Sequence, residues 1–242
     1  ARILSAESMG SGHNRKVVVD TGLYGTKTVV CAAPNCRPGL VSAYVPAGVR
    51  LGDREIGTVT IGGVVSEGML ASGAELGLNR DAGGILELDA EPGAAIPGCN
   101  PDSVIEIDNK SITHRPDLWG HHGLAREVAA IVDGILHEPA KLRLLPAGAS
   151  PITVSIQDFA LCPRYSALAF ENVTVGPSPL WLQYRLSAIG LNPINNIVDA
   201  TNYIMAELAQ PMHAFDWDLL KGSIIFARPA RSGEHIMALN GE

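Results

Sequence analysis

The first 97 residues cannot sustain a long helix. Five short β-branched runs occupy them: KVVVD (16–20), TKTVVCAA (26–33), LVSAYVP (40–46), IGTVTIGGVV (56–65) and GGILEL (83–88). Between them lie TGLYG, PNCRPG, PAGVRLGD and NRDAGG, where glycine and proline punctuate the chain. Strands this short, with turn signals at such regular spacing, predict a small barrel or sandwich.

The pattern changes after IPGCNPDSV (96–104), a turn-rich junction. A short strand is expected at VIEID (104–108). GLAREVAAIVDGIL (123–136) spaces Leu124, Val128, Ile131 and Leu136 along one helical face. HEPAKLRLLPAGASP (137–151) reads as a linker. Beyond it, ITVSIQD (152–158), YSALAFENVTVG (165–176) and GSIIFARPA (222–230) read as strands. SPLWLQYRLSAIG (178–190) carries helix signals at both ends: Ser178 as N-cap, Pro179 at N1 and Gly190 at the stop. A second helix is predicted over NNIVDATNYIMAELA (195–209), ended by Pro211. MALNGE (237–242) reads as a hairpin turn without its partner strand. Together with the absence of an initial Met, this suggests a piece of a longer polypeptide. The expected fold is α+β: residues 1–97 a barrel, 98–148 a connecting strand and helix, and 149–242 a mixed α/β module.

Composition excludes several classes. Hydrophobic residues make up 46% and charged residues 18%, as in a globular chain and unlike a disordered one. No apolar run approaches the roughly 20 residues of a membrane span. The opening ARILSAESMG has neither the apolar core nor the cleavage site of a signal peptide. Cys31, Cys36, Cys99 and Cys162 are sparse and never spaced as CxxC. That fits buried thiols in a reducing compartment, hence the cytoplasm, and predicts no zinc site.

Net charge is −7, which argues against a lysine-coated nucleic-acid binder. The charge is uneven, however. Residues 1–50 hold Arg2, Arg15, Lys16, Lys27, Arg37 and Arg50 against Glu7 and Asp20. One lobe could therefore meet phosphate, while an ordinary solvated mixed surface accounts for the same count.

Several long strings carry a family resemblance. GVVSEGMLASGAELGL (63–78), with Ser66, Ser72 and Met69, and the preceding TVVCAAPNCRPG (28–39) resemble the tRNA-binding oligonucleotide/oligosaccharide-binding (OB) barrel. SITHRPDLWGHHGLAREVAAI (111–131) and CPRYSALAFENVTVGPSPLWLQYRLSAIGLNPINNIVDATNYIMAELAQPMHAFD (162–216) resemble the bacterial phenylalanyl-tRNA synthetase beta subunit, the second string its editing module. The order of barrel, connector and editing module also matches.

The resemblance implies tRNA binding and proofreading: hydrolysis of tyrosine from mischarged tRNA(Phe). Aminoacylation would lie on a separate alpha subunit in an α2β2 heterotetramer using ATP and Mg2+. No class I or class II catalytic motif is present here, and no ATP or Mg2+ ligand is placed. A second sieve is chemically useful because one added hydroxyl is rejected poorly by a single pocket. The ester is already activated, so positioning and hydrogen bonding suffice for hydrolysis.

By resemblance, His213 of QPMHAFD lines the editing pocket and contacts substrate or the attacking water. Asn202 and Gln210 either hydrogen-bond substrate or brace the loop. Ser66, Met69, Arg15, Lys16, Lys27 and Arg37 are the tRNA-binding candidates. Asn192 stands where some family members carry arginine, and Ala209 where glycine is usual.

His114, His121, His122 and Glu127 (H-x6-HH-x4-E) superficially offer metal ligands, but adjacent histidines on a helix point apart, so no metal is expected. Arg126 and Glu127 are expected to pair structurally, and Trp119 and Trp181 to anchor a core or an interface. The remaining pocket wall, with the carboxylate that would read the tyrosine hydroxyl, is expected beyond residue 242. Weak or no deacylation is therefore expected of these residues alone. Two other readings stay open: a free-standing tRNA-binding module, and a hydrolase that clears mischarged tRNA in trans.

Overall fold

A computed structural model describes residues 1–96, 103–140 and 150–237. The chain divides into two compact units. The first comprises residues 1–123 and 176–212, and the second residues 124–175 and 213–242.

The first unit opens with an antiparallel sheet of β1 (Arg2–Ser8), β2 (Arg15–Asp20) and β3 (Thr26–Cys31). Side chains alternate across a strand, so the odd residues of KVVVD face one way. Register places Ile3 opposite Val19 and Val17 opposite Val29, and all four are buried. Cys31, Cys36, Leu40, Leu70 and Ile85 complete this core. Each fully buried aliphatic side chain contributes roughly 1.5–3 kcal/mol.

Four two-stranded ladders also form among the described residues, three of them in the first unit. β4 (Ala43–Pro46) pairs with β9 (Gly68–Ala71), and β5 (Arg50–Leu51) with β6 (Arg54–Glu55). β7 (Val59–Ile61) pairs with β8 (Val64–Ser66). The run IGTVTIGGVV is thus two strands and not one. Gly62 and Gly63 have φ of +55° and +80°, the pair of positive values a two-residue type I′ turn requires. The fourth ladder belongs to the second unit.

Among the described residues no closed barrel forms. Short runs of bonds join the three-stranded sheet to its neighbours: an antiparallel bridge pairs Arg2 with Val41, flanked by Ile3 N–H to Leu40 C=O (2.8 Å), and Glu67 N–H reaches Thr28 C=O (2.9 Å). GGILEL gives no strand either, although Leu86 and Leu88 donate N–H bonds to Ala71 and Val41.

The helices depart from expectation at their ends. α1 (His121–Val132) begins two residues early and ends short of Leu136. Its predicted apolar face is not covered by the described residues, with Ile131 81% exposed. α2 (Leu180–Ala188) is not capped by Ser178, whose hydroxyl is committed elsewhere, and Pro179 occupies the cap. Its C-terminus is as expected. Gly190 has φ +81°, its N–H bonds Ser187 C=O, and Leu191 N–H bonds Leu186 C=O.

α3 (Asn196–Leu208) is capped by Asn195, whose Oδ1 accepts from Ile197 and Val198 N–H. It ends at Ala209, which is left-handed (φ 56°, ψ 26°), two residues before Pro211. Alanine therefore adopts the conformation that glycine takes readily.

In the second unit, β10 (Thr153–Ile156) and β11 (Ile224–Ala227) form a parallel pair. VIEID and YSALAFENVTVG form no strand. Neither segment has a ladder partner among the described residues, and Ile105 and Phe170 stay exposed. The domain boundaries expected at 97/98 and 148/149, most of the linker and most of MALNGE lie outside the described residues, as does Cys99.

Candidate functional site

The predicted tRNA-facing residues cluster on the first unit, and most of their polar atoms are already used. Ser66 is 2% exposed. Its hydroxyl donates to Gly68 C=O (2.9 Å) and accepts from Val30 N–H (3.0 Å), stitching β8, β9 and β3 together. Met69 is half-buried and lines a groove of ≈ 570 Å³ with Ser66, Arg54, Val59 and Ile61. Ser72 and Glu75 bond reciprocally: Ser72 N–H and Oγ–H reach the Glu75 carboxylate, and Glu75 N–H reaches Ser72 Oγ.

Arg15 turns inward, donating from Nη1 to Cys36 C=O. Lys27 Nζ lies 3.0 Å from Glu67 Oε1, and Thr28 N–H donates to the same carboxylate. Together they hold Glu67 below the usual carboxylate range. Tyr44 Oη donates to Glu67 C=O (2.6 Å), so residue 67 ties three segments. Arg37 makes a bidentate pair with Glu87 at 2.9 and 2.8 Å, and Asn35 adds a third donor. These bonds hold the Glu87 carboxyl down at about 2. Lys16 sits on β2, opposite Glu7 and Val30. Arg15, Lys27 and Arg37 thus each have a partner within the chain, and the carboxylate partners come from 40 to 50 residues away.

A second recess of the first unit has a volume of ≈ 1140 Å³. It lies between the 79–89 loop and the starts of α2 and α3, and Trp181, Asn192 and Asn79 line it. Asn79 donates to Gln183 Oε1 (2.7 Å), and Ser187 Oγ donates to Leu78 C=O (3.0 Å), which fasten α2 to that loop. Asp199, 1% exposed, accepts from Ser178 Oγ (2.5 Å) and Ile194 N–H (2.8 Å). No feature of the string NNIVDATNY distinguished Asp199 in advance; only the buried geometry does. Trp181 meets Tyr203 edge-to-face at 5.7 Å, so it anchors α2 on α3. Trp119 is 70% exposed and anchors no core among the described residues.

Asn202 is half-buried on α3, and Gln210 is exposed just after its left-handed end. His213 belongs to the second unit. It is exposed and packs edge-on to Phe215 with ring centroids 4.6 Å apart. Within that unit Arg228 makes a bidentate pair with Glu234 (2.8 and 2.7 Å), and Arg231 N–H adds a bond. Glu234 is thereby held at about 2.

The H-x6-HH-x4-E residues do not act as a set. His121 Nδ1 lies 2.8 Å from Ala206 C=O, and His114 is exposed. Among the described residues no three His, Cys, Asp or Glu side chains converge to hold a metal ion. Cys31, Cys36 and Cys162 are free thiols. Burial, with Cys31 adjoining, pushes the Cys36 thiol up to about 11. No helix among the described residues is long and apolar enough to cross a membrane.

Comparison with known proteins gives this geometry a context. The B3/4 domain family matches residues 161–242. A phenylalanine–tRNA ligase beta subunit from Solibacter usitatus is 66% identical over 242 residues, covering all of this chain and 30% of that protein. The corresponding subunit from Bradyrhizobium diazoefficiens is 42% identical over 249 residues, covering all of this chain and 31% of its own length. That from Moorella thermoacetica is 44% identical over 230 residues, covering 88% and 28%. The chain spans about 30% of the length of these relatives. Along its whole length, then, the chain is similar to the beta subunits of phenylalanine–tRNA ligases, and its last third to the B3/4 domain.

Proposed function

We propose that this chain is part of the beta subunit of a phenylalanine–tRNA ligase, and that it contributes tRNA binding and proofreading. The observation that carries the reading is similarity across every residue of the chain to proteins of that name, at up to 66% identity among those compared. In this reading residues 1–97 are an OB-type tRNA-binding domain, 98–148 a connector and 149–242 the first part of the editing module.

Aminoacylation belongs to an alpha subunit, within an α2β2 assembly in the cytoplasm that consumes ATP with Mg2+. The described residues offer no fitting donor set for the ion, so no residue here is assigned to it.

The editing step is hydrolysis of the tyrosyl ester of tRNA(Phe). His213, exposed at the end of the QPMH segment, orients the water or the ester. Asn202 and Gln210 hold the substrate or the segment itself. Ser66 acts through the fold, since its hydroxyl has both a donor and an acceptor partner within the protein. Lys16, Met69 and the groove beside Met69 are the remaining tRNA contacts.

The test is to purify the full-length natural protein containing this chain together with whatever it binds. A complex with a class II synthetase subunit that attaches phenylalanine to tRNA(Phe) and releases tyrosine from Tyr-tRNA(Phe) supports the reading. A species that binds no such subunit and has neither activity overturns it.

A further inference from the structure

We infer that Gly120 and His121 form a clamp on the end of α3, and that His121 is a positioning residue for the Gln210-Pro211-Met212 segment that leaves it. The catalytic part of this inference rests on the function proposed above.

The last four carbonyls of a helix have no partner within it. Ala206 is among them in α3, and His121 Nδ1 lies 2.8 Å from its oxygen. A carbonyl oxygen only accepts, so Nδ1 carries the hydrogen, which fixes the orientation of the ring. Gly120 abuts the same turn. A Cβ there would lie 2.5 Å from Ala209 N and 2.9 Å from Glu207 O, so only glycine lets the two backbones approach this closely.

The base of the clamp is itself tightly folded. A Cβ on Gly123 would lie 1.9 Å from Asp117 O, so the turn from Asp117 to Gly123 is closed on itself. The clamped residue is the one where the chain changes direction. Ala209 is left-handed, and Gln210 follows it directly. An alanine in that conformation is strained by about 1–2 kcal/mol, and contacts on the turn keep it from relaxing. The direction in which Gln210-Pro211-Met212 departs is therefore set by the 117–123 turn, a sequence segment far from it in the chain. Small displacements of reacting groups cost rate steeply, so a residue that fixes this exit affects hydrolysis without touching substrate.

The experiment uses the complete enzyme and compares wild type with His121→Ala and His121→Asn. Hydrolysis of Tyr-tRNA(Phe), phenylalanylation and peptide-resolved amide exchange are measured on each. In His121→Ala, kcat for hydrolysis falls about tenfold with KM within about twofold, and phenylalanylation is unchanged. Peptides covering 205–212 exchange faster, and other peptides do not. His121→Asn, whose amide N–H reaches the same carbonyl, recovers most of both.

Unchanged hydrolysis and unchanged exchange at 205–212 in His121→Ala overturn the inference. So does an equal fall in both activities with faster exchange throughout, which marks a general loss of structure. A wild-type enzyme that releases no tyrosine overturns the proposed function and the catalytic half of the inference. The exchange measurement still decides the clamp.

Discussion

Ser178 donates its hydroxyl hydrogen to Asp199 at 2.5 Å inside the first unit, where both side chains are buried. The other carboxylate oxygen takes the N–H of Ile194. One side chain thus fixes both ends of the segment from α2's entry to α3's first turn. Replacing it with alanine strands a buried hydroxyl and a backbone N–H. Asp199→Ala should lower unfolding stability by about 2–3 kcal/mol, read by urea titration. Asp199→Asn should cost less, because the amide can still serve both partners.

Ala209→Gly should raise stability, by up to about 1 kcal/mol. It relieves the left-handed alanine, and the greater freedom of glycine in the unfolded chain offsets part of the gain. Thermal unfolding of the two proteins checks the sign.

Ser66→Ala separates a brace from a ligand contact. Loss of two internal hydrogen bonds should cost about 1–2 kcal/mol of stability. Affinity for tRNA(Phe), measured well below the unfolding transition, should change less than about twofold. A loss of affinity by an order of magnitude in a fully folded variant would show that the hydroxyl reaches RNA.

Glu87 should titrate well below the ordinary glutamate range. Its folded value is about 2, lower than in the unfolded chain, because Arg37 and Asn35 donate to the charged form. The pair therefore stabilises the fold above the unfolded glutamate value, and that contribution disappears as pH falls toward 2. It is small, since both side chains are about half exposed and salt screens them. Carbon-detected NMR titration should find this carboxyl near 2 in wild type and back near the ordinary range in Arg37→Ala.

His213→Ala in the complete enzyme should reduce release of tyrosine from Tyr-tRNA(Phe) by at least about tenfold. Phenylalanylation should be unaffected. Equal hydrolysis by variant and wild type would remove His213 from the editing site.

Local chemistry made much of the fold legible. The β-branched run KVVVD became β2, and Gly190 ended α2 as its position implied. What escaped was long-range. The ion-pair partners of Lys27 and Arg37 stayed hidden because Glu67 and Glu87 stand 40 and 50 residues away. Ser178 read as a cap because Asp199, 21 residues on, could not be seen competing for its hydroxyl. VIEID has strand composition, yet a strand needs a neighbour, and the described residues supply none. The QPMH residues were legible only by resemblance, since nothing in their spacing shows that Ala209 turns the chain there.

The bond from Ser187 to Leu78 joins residues 109 apart in sequence. During synthesis at about 5–20 residues per second, the segment around Leu78 is exposed on the ribosome for several seconds before α2 emerges to meet it. Over that interval the nascent chain lacks the bonds that α2 makes to Leu78 and Asn79. The face awaiting α2, around Leu78 and Leu86, is then open to chaperones.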